Sequence, residues 1–436
     1  MKLSAFIQQA PVTLLAVLIV IFRTTDSGLA APATPSGLKI VNPYYVSTTG
    51  SDSNPGTLDL PWRTIQKANS TMVSGDTVIV SPGTYAERIT VASSNLTFIA
   101  SGIVNMKGFV ANSKNGTTIR GFYIESDGCS DGWGISIDGS NSLVENNTLY
   151  NNCRGGILFW DSTATAPTKS NNIARNNIIS KSMVGIDVWG LNALIEGNEV
   201  FDGLQRHPKW LGNFPSWADT DGMHFHGSGH IFRNNYIHDF SFARPENVNP
   251  HIDCWQTWGG QTSNNLFENN RCIIPEQGPD GNAQTQNFMI EGSNSVITIR
   301  RNYLAAFRNI NAWNSDSLTV VNNCFVSSLA YTDTSQSVLA YQSSTNSTFK
   351  NNVILNPKYH YIVNSGSGLS ADYNSVYRSD GGTIPGPRSS HDLWGINPTV
   401  DTNCVPLAGS PLIDAGTNIG LPYQGVGPDI GAYEIK

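Results

Sequence analysis

Nine asparagines recur in one local frame along this chain, and no other feature constrains the fold as tightly. The frame reads V-E-N-N-T-L, A-R-N-N-I-I or F-R-N-N-Y-I, and the recurring positions are Asn147, Asn177, Asn198, Asn235, Asn270, Asn302, Asn323, Asn352 and Asn374. The shortest steps between successive positions are 21 and 22 residues. A step of this size is typical of a solenoid in which the longer steps carry insertions.

The segments between the asparagines predict the type of coil. They contain strand-like stretches such as G-I-D-V-W-G and N-F-M-I-E-G, without long runs of 3.6-residue period. The expected fold class is therefore all-β, a single-stranded right-handed parallel β-helix with its asparagines stacked inside one turn. An asparagine-rich β-sandwich is the alternative, but its strands would not return one asparagine to one frame nine times.

The first 30 residues have the pattern of a secretory signal peptide. An apolar run from Pro11 to Phe22 precedes Gly28-Leu29-Ala30, which offers small residues to a signal peptidase. The run is too short to span a bilayer, so we expect a secreted monomer without membrane insertion. The formal net charge of −7 argues against a nucleic-acid partner, because proteins that bind nucleic acids are usually basic.

The rest of the chain divides where the pattern changes. Residues 31–42 are expected to form a linker, and residues 43–75 an N-terminal cap with a short amphipathic helix that starts at Pro61. The β-helix is expected over residues 76–380. The turn-rich residues 381–436 are expected to close its other end.

Six cysteines in an exported chain favour disulfides. Fifteen pairings are possible, and proximity in the sequence favours Cys129–Cys153, Cys254–Cys272 and Cys324–Cys404. The sequence has no C-x-x-C motif, so a thiolate zinc site is not expected. No organic cofactor is expected either.

Alternation along the principal strand of each coil predicts which side chains face outward. Aligned on their glycines, these strands place Asp187, His224, Gln256 and Glu291 in one patch. Trp189 and Trp258 flank this patch, and His226 and Trp313 face outward with them. Outward tryptophans offer flat apolar faces on which sugar rings can stack.

Three consecutive insertions are expected to form one wall of a groove above this patch. They cover residues 203–219, 241–250 and 275–286, all between an asparagine of the repeat and the next principal strand. Loops on a rigid scaffold commonly carry binding residues. Lys209 and Arg244 lie in these insertions and are candidate substrate contacts.

Two segments on adjacent coils concentrate acidic residues. A-D-T-D-G-M-H (218–224) and P-H-I-D-C-W-Q (250–256) share one frame, which places Asp219 near His251 and Asp221 near Asp253. Two carboxylates one coil apart repel each other, so either one is protonated or a cation lies between them. The predicted ligands of a bound Ca²⁺ are Asp187, Asp219, Asp221 and Asp253.

The two ends of the chain resemble a known superfamily. The segment Y-Y-V-S-T-T-G-S-D-S-N-P-G-T…P-W-R-T-I-Q-K-A, followed by G-D-T-V-I-V-S-P-G-T-Y, is similar to the entry of secreted β-helix proteins of the pectin-lyase-like superfamily. The ending D-I-G-A-Y-E resembles their tails. The resemblance implies the fold, whereas the superfamily contains lyases, hydrolases, epimerases and non-catalytic proteins.

A narrower resemblance is to polygalacturonase-type hydrolases. Asp221 matches the aspartate of their N-T-D-G motif, and Asp253 matches the second aspartate of their Q-D-D motif. Ile252 stands where their proton-donating aspartate belongs, and no G-H-G follows on the next coil. A hydrolase of this type would need another acid, such as His251 or Glu291.

These patterns lead to three functional hypotheses. The first is a secreted enzyme that cleaves a polysaccharide by β-elimination at uronic acid residues with bound calcium. The second is an acid/base glycoside hydrolase, and the third is a non-catalytic carbohydrate-binding solenoid. The candidate catalytic residues are Asp221, Asp253, His224, His251 and Glu291. The candidate substrate-binding residues are Trp189, His226, Gln256, Trp258, Lys209, Arg244 and Trp313.

Overall fold

The computed structural model describes residues 42–129, 132–162, 166–210, 219–248, 250–259, 262–278, 284–292 and 294–435. These residues form three parallel β-sheets, which we call sheets A, B and C. The chain visits the sheets in turn, so each complete coil adds one strand to each of them. The signal peptide and nearly all of the linker predicted from the sequence lie outside the described residues.

The strands are short, as expected when the chain turns three times in each coil. Those of sheet A are Tyr44–Val46, Thr77–Val80, Thr97–Ala100, Thr118–Arg120, Leu143–Glu145, Ile173–Arg175, Leu194–Glu196, Ile231–Arg233, Ser263–Glu268, Asn294–Arg300, Ser315–Asp316, Thr319–Val321, Thr348–Lys350 and Ser370–Asp372. Those of sheet B are Gly83–Thr84, Val104–Met106, Tyr123–Ile124, Thr148–Tyr150, Ile178–Ser180, Glu199–Phe201, Tyr236–His238, Arg271–Ile274, Tyr303–Ala306, Cys324–Val326, Val353–Leu355, Ser375–Tyr377 and Leu393–Trp394. Those of sheet C are Arg88–Thr90, Gly108–Asn112, Trp133–Asp138, Gly155–Phe159, Val184–Val188, Asp221–Phe225, His251–Thr257, Gln284–Ile290, Arg308–Trp313, Ser337–Gln342 and Ile362–Asn364.

The asparagine ladder is confirmed, and it occupies the turn between sheets A and B. Each member after Asn147 accepts two hydrogen bonds at its Oδ1, from the backbone N–H and the Nδ2 of the preceding member. Between Asn177 and Asn198 these bonds measure 3.0 and 2.9 Å. The same pairing runs from Asn147 to Asn374, and the ladder ends where Asn374 donates its N–H to Asp392.

The double asparagine of the repeat has a separate cause at each position. The residue before each ladder member has a positive φ, as at Asn146, Asn176 and Asn234, where φ lies between 54° and 57°. Asparagine and glycine tolerate this left-handed conformation best, and Gly197 takes the place in one coil. The first asparagine of the pair therefore makes the turn, and the second joins the coils.

Removing one ladder member should destabilise the fold strongly. In Asn235→Ala, the Asn198 N–H loses its acceptor and the Ile195 carbonyl loses a donor, and both groups stay buried. Because each unsatisfied buried group costs about 1–3 kcal/mol, we expect a loss of about 3–5 kcal/mol in the free energy of unfolding. Urea unfolding monitored by circular dichroism measures it.

The adjacent asparagine provides the control for this prediction. Asn234 is exposed and has a φ of 57°, so Asn234→Ala should cost only the strain of a left-handed alanine, about 1–2 kcal/mol. Equal losses in the two variants would show that the ladder hydrogen bonds add nothing beyond the turn.

The interior of the coils is filled by apolar and aromatic side chains. Phe232 stacks on Phe267 at 4.7 Å, and Trp255 stacks on Phe288 at 4.8 Å between ring centroids. Trp255 is fully buried. On this strand Trp255 therefore faces inward, and Gln256, which lines the pocket described below, faces outward. This interior accommodates large aromatic rings because they stack from coil to coil.

The start of the solenoid carries a short helix, and three disulfides tie its coils. The helix Ile65–Thr71 begins after Thr64, whose side chain accepts a hydrogen bond from the Lys67 N–H. The three disulfides, Cys129–Cys153, Cys254–Cys272 and Cys324–Cys404, are those favoured by sequence proximity. Among the described residues, no helix has the length and apolar character needed to cross a membrane.

Candidate active site

A pocket of about 390 Å³ opens on sheet C, at the coils that carry the acidic segments. Its volume lies within the range of small-molecule binding sites. The lining residues come from five successive coils: Trp133, Arg154, Met183, Val184, Asp187, Asp219, Asp221, His224, Gln256 and Trp258. The pocket therefore combines carboxyl groups, a guanidinium and an imidazole between two tryptophans.

Strand register explains three members of the pocket and corrects one prediction. Asp187 pairs with His224, and His224 pairs with Gln256, so these residues form one row as expected. The next position in the row is Met289, not Glu291. Glu291 was predicted to complete this patch, but it lies two residues after Met289, just past the end of that strand. It therefore belongs to the neighbouring row.

Asp221 and His224 form a hydrogen-bonded pair at the base of the pocket. His224 Nε2 lies 3.0 Å from Asp221 Oδ2, and Asp221 Oδ1 accepts the backbone N–H of Asp253 at 2.8 Å. Burial alone would lower the pKa of His224, but the hydrogen bond to Asp221 and the charges of Asp221 and Asp187 outweigh it and raise this pKa. The hydrogen bond between the two residues therefore favours the protonated form of the His224 ring.

Asp219 lies two residues before Asp221 and has a different environment. Its Oδ1 accepts the His251 N–H at 2.7 Å, and its Oδ2 lies 3.7 Å from His251 Nδ1. Burial and the nearby charge of Asp221 raise the pKa of Asp219 to about 7. Near neutral pH this carboxyl can therefore hold or release a proton. His251 itself is half exposed and does not line the pocket.

Asp253 is not part of the pocket surface, contrary to its predicted catalytic role. Asp221 and Asp253 each keep 1% of their surface exposed, but Asp221 lines the pocket and Asp253 does not. Gln286 donates to its Oδ1 at 3.0 Å. Burial and the charge of Asp221 raise the pKa of Asp253 well above its usual value. The carboxyl group that lines the pocket in this frame is therefore that of Asp221.

The row next to the pocket is aromatic. It contains Trp160, Trp189, His226, Trp258 and, beyond Glu291, Trp313, and we call these five rings the aromatic track. Trp189 stacks on His226 at 3.9 Å, and His226 meets the edge of Trp258 at 4.4 Å between ring centroids. His226, a predicted substrate contact, is itself buried under its neighbours.

The two basic side chains that were predicted to contact the substrate bind groups outside the pocket instead. Lys209 Nζ contacts Glu125, the Ser126 carbonyl at 2.6 Å and the Asn151 carbonyl at 3.0 Å. Arg244 forms an ion pair with Asp202. Neither residue lines the pocket, because each insertion folds its cation back onto the coils. Of the predicted wall, residues 211–218, 249 and 279–283 lie outside the described residues, and Asp219 is its member on the pocket lining.

The sequence patterns did not identify Arg154, Met183 or Val184 as members of the pocket, and they did not place Trp133 there. Gly155 pairs with Val184, and Val184 pairs with Asp221. Arg154 therefore stands one coil from Met183, at the point where each principal strand begins. The sequence does contain an indication of this residue. Extending the glycine alignment of the principal strands two residues toward the N-terminus places Arg154 in the same frame as the acidic segments.

The carboxylates of the pocket fit an acid–base pair better than a calcium site. Both oxygens of Asp221 are engaged, one by the Asp253 N–H and one by His224. Within the described part of the chain, the group of three or more His, Cys, Asp or Glu side chains whose ligand atoms all lie within 4.8 Å of one another is Cys129, Cys153 and His207, and its two cysteines form a disulfide. Calcium binding stays a prediction, which loss of activity on chelation and recovery on adding Ca²⁺ would support.

The raised pKa of Asp219 predicts a pH dependence of stability. Between about pH 4 and 7 the folded protein keeps a proton on Asp219 that the unfolded chain has lost, so this group's contribution to stability falls as the pH rises. Asp219→Asn should therefore gain up to about 4 kcal/mol relative to the wild type between these pH values. Urea unfolding at several pH values measures this difference.

The control for this prediction is Asp59→Asn, which changes an exposed aspartate outside the pocket. Its stability should follow the wild-type pH curve. A curve for Asp219→Asn that runs parallel to that of the wild type would mean that Asp219 ionises normally.

Comparisons with known proteins support the architecture. A family model described as a protein of unknown function (DUF1565) matches residues 48–92. No curated protein matches the sequence. The structure of XylC in complex with xylose is similar over 83% of this chain and 87% of that one, with 13% identity and a TM-score of 0.53. The chain folds as a right-handed parallel β-helix.

A second solved structure has the same architecture. It is a double mutant of the tailspike protein of E. coli bacteriophage HK620 in complex with a pentasaccharide. The match covers 71% of this chain and 61% of the tailspike chain, with 13% identity and a TM-score of 0.50. At such identities the likeness establishes the fold, and the fold class expected from the asparagine repeat is confirmed.

Proposed function

We propose that this protein is a carbohydrate-active enzyme that hydrolyses glycosidic bonds by acid/base catalysis in the pocket on sheet C. One observation carries the proposal: two carboxyl groups two residues apart, Asp219 and Asp221, have unlike environments in one pocket. Asp219 is held near a pKa of about 7, whereas Asp221 accepts a backbone hydrogen bond and pairs with His224. Two carboxyl groups whose environments differ in this way can serve as the acid and the base of one reaction.

In the proposed mechanism, Asp219 donates its proton to the glycosidic oxygen as the bond breaks. Asp221 is the carboxylate that stabilises the developing positive charge on the sugar, as nucleophile or as base toward water. The Asp253 N–H and His224 fix both of its oxygens, which holds the carboxylate in place before the substrate arrives. Trp133 and Trp258 supply apolar faces at the two ends of the pocket.

The saccharides bound by the two similar structures support a carbohydrate substrate. XylC carries xylose, and the tailspike protein carries a pentasaccharide. The β-elimination favoured by the sequence is the competing reaction, and it needs a cation at the substrate carboxylate. Lys209 and Arg244, expected to contact the substrate, are held away from the pocket, so Arg154 on its lining would have to neutralise that carboxylate.

Incubation with a set of neutral and acidic polysaccharides tests the proposal. Hydrolysis releases reducing ends without absorbance near 235 nm, whereas elimination adds that absorbance through an unsaturated uronide. We expect the first result, and we expect Asp221→Asn to suppress it. Reducing ends accompanied by the absorbance would identify a lyase. Binding of a polysaccharide without any cleavage would instead identify the non-catalytic solenoid.

A further inference from the structure

The aromatic track extends well beyond the pocket. Its first and last members, Trp160 and Trp313, are five coils apart, which corresponds to about 24 Å at an inter-coil spacing of about 4.8 Å. Trp160, Trp258 and Trp313 keep 39%, 40% and 45% of their surface exposed. Exposed large apolar groups aligned in one row mark a surface that a ligand covers.

The track is continuous with the pocket. Trp160 meets Trp189 at 5.2 Å, and contacts between ring centroids then pass through His226 to Trp258. Trp258 also lines the pocket. A ligand chain held along the track therefore reaches the pocket at Trp258, on the side of the pocket away from Asp219 and Asp221.

The charges near the track disfavour an acidic ligand. Burial lowers the pKa of His226 to about 3, so its imidazole is neutral near pH 7. Glu291 is the ionisable residue between Trp258 and Trp313 in the row, and it adds negative charge when ionised. The adjoining pocket is lined by the carboxyl groups of Asp187, Asp219 and Asp221 against the guanidinium of Arg154 and the imidazole of His224, and the whole chain has a net charge of −7. Like charges on a polyuronate would be repelled along this surface.

Uncharged sugar rings match the same surface. The faces of tryptophan rings are apolar and electron-rich, and they attract the C–H groups on the face of a pyranose ring. We infer that the aromatic track binds an uncharged glycan chain parallel to the axis of the β-helix, so that the pocket acts on a neutral polysaccharide. This inference rests on the proposed function for the cleavage step, but the binding can be measured without it.

The experiment uses the full chain carrying Asp221→Asn, which suppresses turnover during a binding measurement. Affinity electrophoresis is run in gels containing xylan, mixed-linkage β-glucan, galactan or mannan, and in gels containing polygalacturonate or alginate. We expect retardation by at least one neutral chain, and none by the two acidic chains. Adding Trp160→Ala or Trp313→Ala should weaken binding of that neutral chain about five- to tenfold, as for other tryptophan anchors.

Tyr423→Ala is the matched control, because Tyr423 is an aromatic residue with 40% of its surface exposed, outside both the track and the pocket. It should leave the retardation unchanged. A disaccharide of the same glycan, which spans the pocket but not the track, should bind equally well with and without Trp313→Ala.

Three results would overturn the inference: retardation by no neutral chain, stronger retardation by an acidic chain, or unchanged binding of the neutral chain in both tryptophan variants. Its failure is distinguishable from failure of the proposed function. Cleavage of a polyuronate by hydrolysis would retain the function and reject the neutral track. Track-dependent binding of a neutral chain that the wild type never cleaves would retain the track and reject hydrolysis.

Discussion

Asp221→Asn should lower kcat/KM on the polysaccharide substrate by about 10²–10⁴-fold, while the protein stays folded. The amide keeps the oxygen that accepts the Asp253 N–H, so the strand retains its register. It removes the negative charge that would stabilise or attack the sugar, and this charge is the reason for the expected loss. Reducing-end assays at several substrate concentrations measure kcat/KM, and circular dichroism checks the fold.

The imidazole of His224 reports on the same substitution independently of turnover. Its pKa is raised by the hydrogen bond and charge of Asp221 against the opposing effect of burial. Asp221→Asn should therefore lower the pKa of His224, which NMR titration of the ring protons can follow. An unchanged His224 titration would show that the pair does not interact in solution.

Asp253→Asn is the matched control, since it makes the same chemical change one coil away. Asp253 is buried one coil from Asp221 without lining the pocket, and burial and the charge of Asp221 raise its pKa, which favours its neutral form. An amide there keeps both the acceptor for Gln286 and the backbone N–H toward Asp221. Most of the activity should survive. If Asp253→Asn abolishes turnover and Asp221→Asn does not, the catalytic carboxylate has been assigned to the wrong coil.

The sequence predicted the fold well because its strongest signal is geometric. A ladder asparagine must recur once per coil at the same turn, so Asn177, Asn198 and Asn235 mark three coils regardless of the loops between them. The same phase places Asp187, His224 and Gln256 in one row, as the register confirms. Features tied to the period of the solenoid are therefore readable from one chain.

The parts of the site that the sequence misplaced depend on side-chain direction and pairing. Asp221 and Asp253 occupy the same frame and are equally buried, yet only Asp221 lines the pocket, whereas Asp253 accepts a hydrogen bond from Gln286. Lys209 and Arg244 lie in insertions whose course has no period, and each has an acidic partner that the pattern could not identify. Glu291 was assigned to the patch of Asp187, His224 and Gln256, although strand register puts Met289 there.

Asp219→Asn should separate proton donation from the rest of the chemistry. A glycosidic oxygen in a polysaccharide is a poor leaving group and needs the proton, so kcat/KM should fall about 10²–10³-fold. An aryl glycoside with an acidic phenol as its leaving group departs without protonation. Its cleavage should therefore stay within a few-fold of the wild-type rate.

The pH profile gives the second half of this prediction. Asp219 must be protonated to act, and its pKa is raised to about 7, so wild-type kcat/KM on the polysaccharide should fall as the pH rises through about 7. In Asp219→Asn this alkaline limb should disappear, because the group that titrates is gone. An alkaline limb that persists in the variant, or equal losses on the polysaccharide and the aryl glycoside, would assign the acid to another residue. The half-exposed His251 beside Asp219 would then be the first candidate.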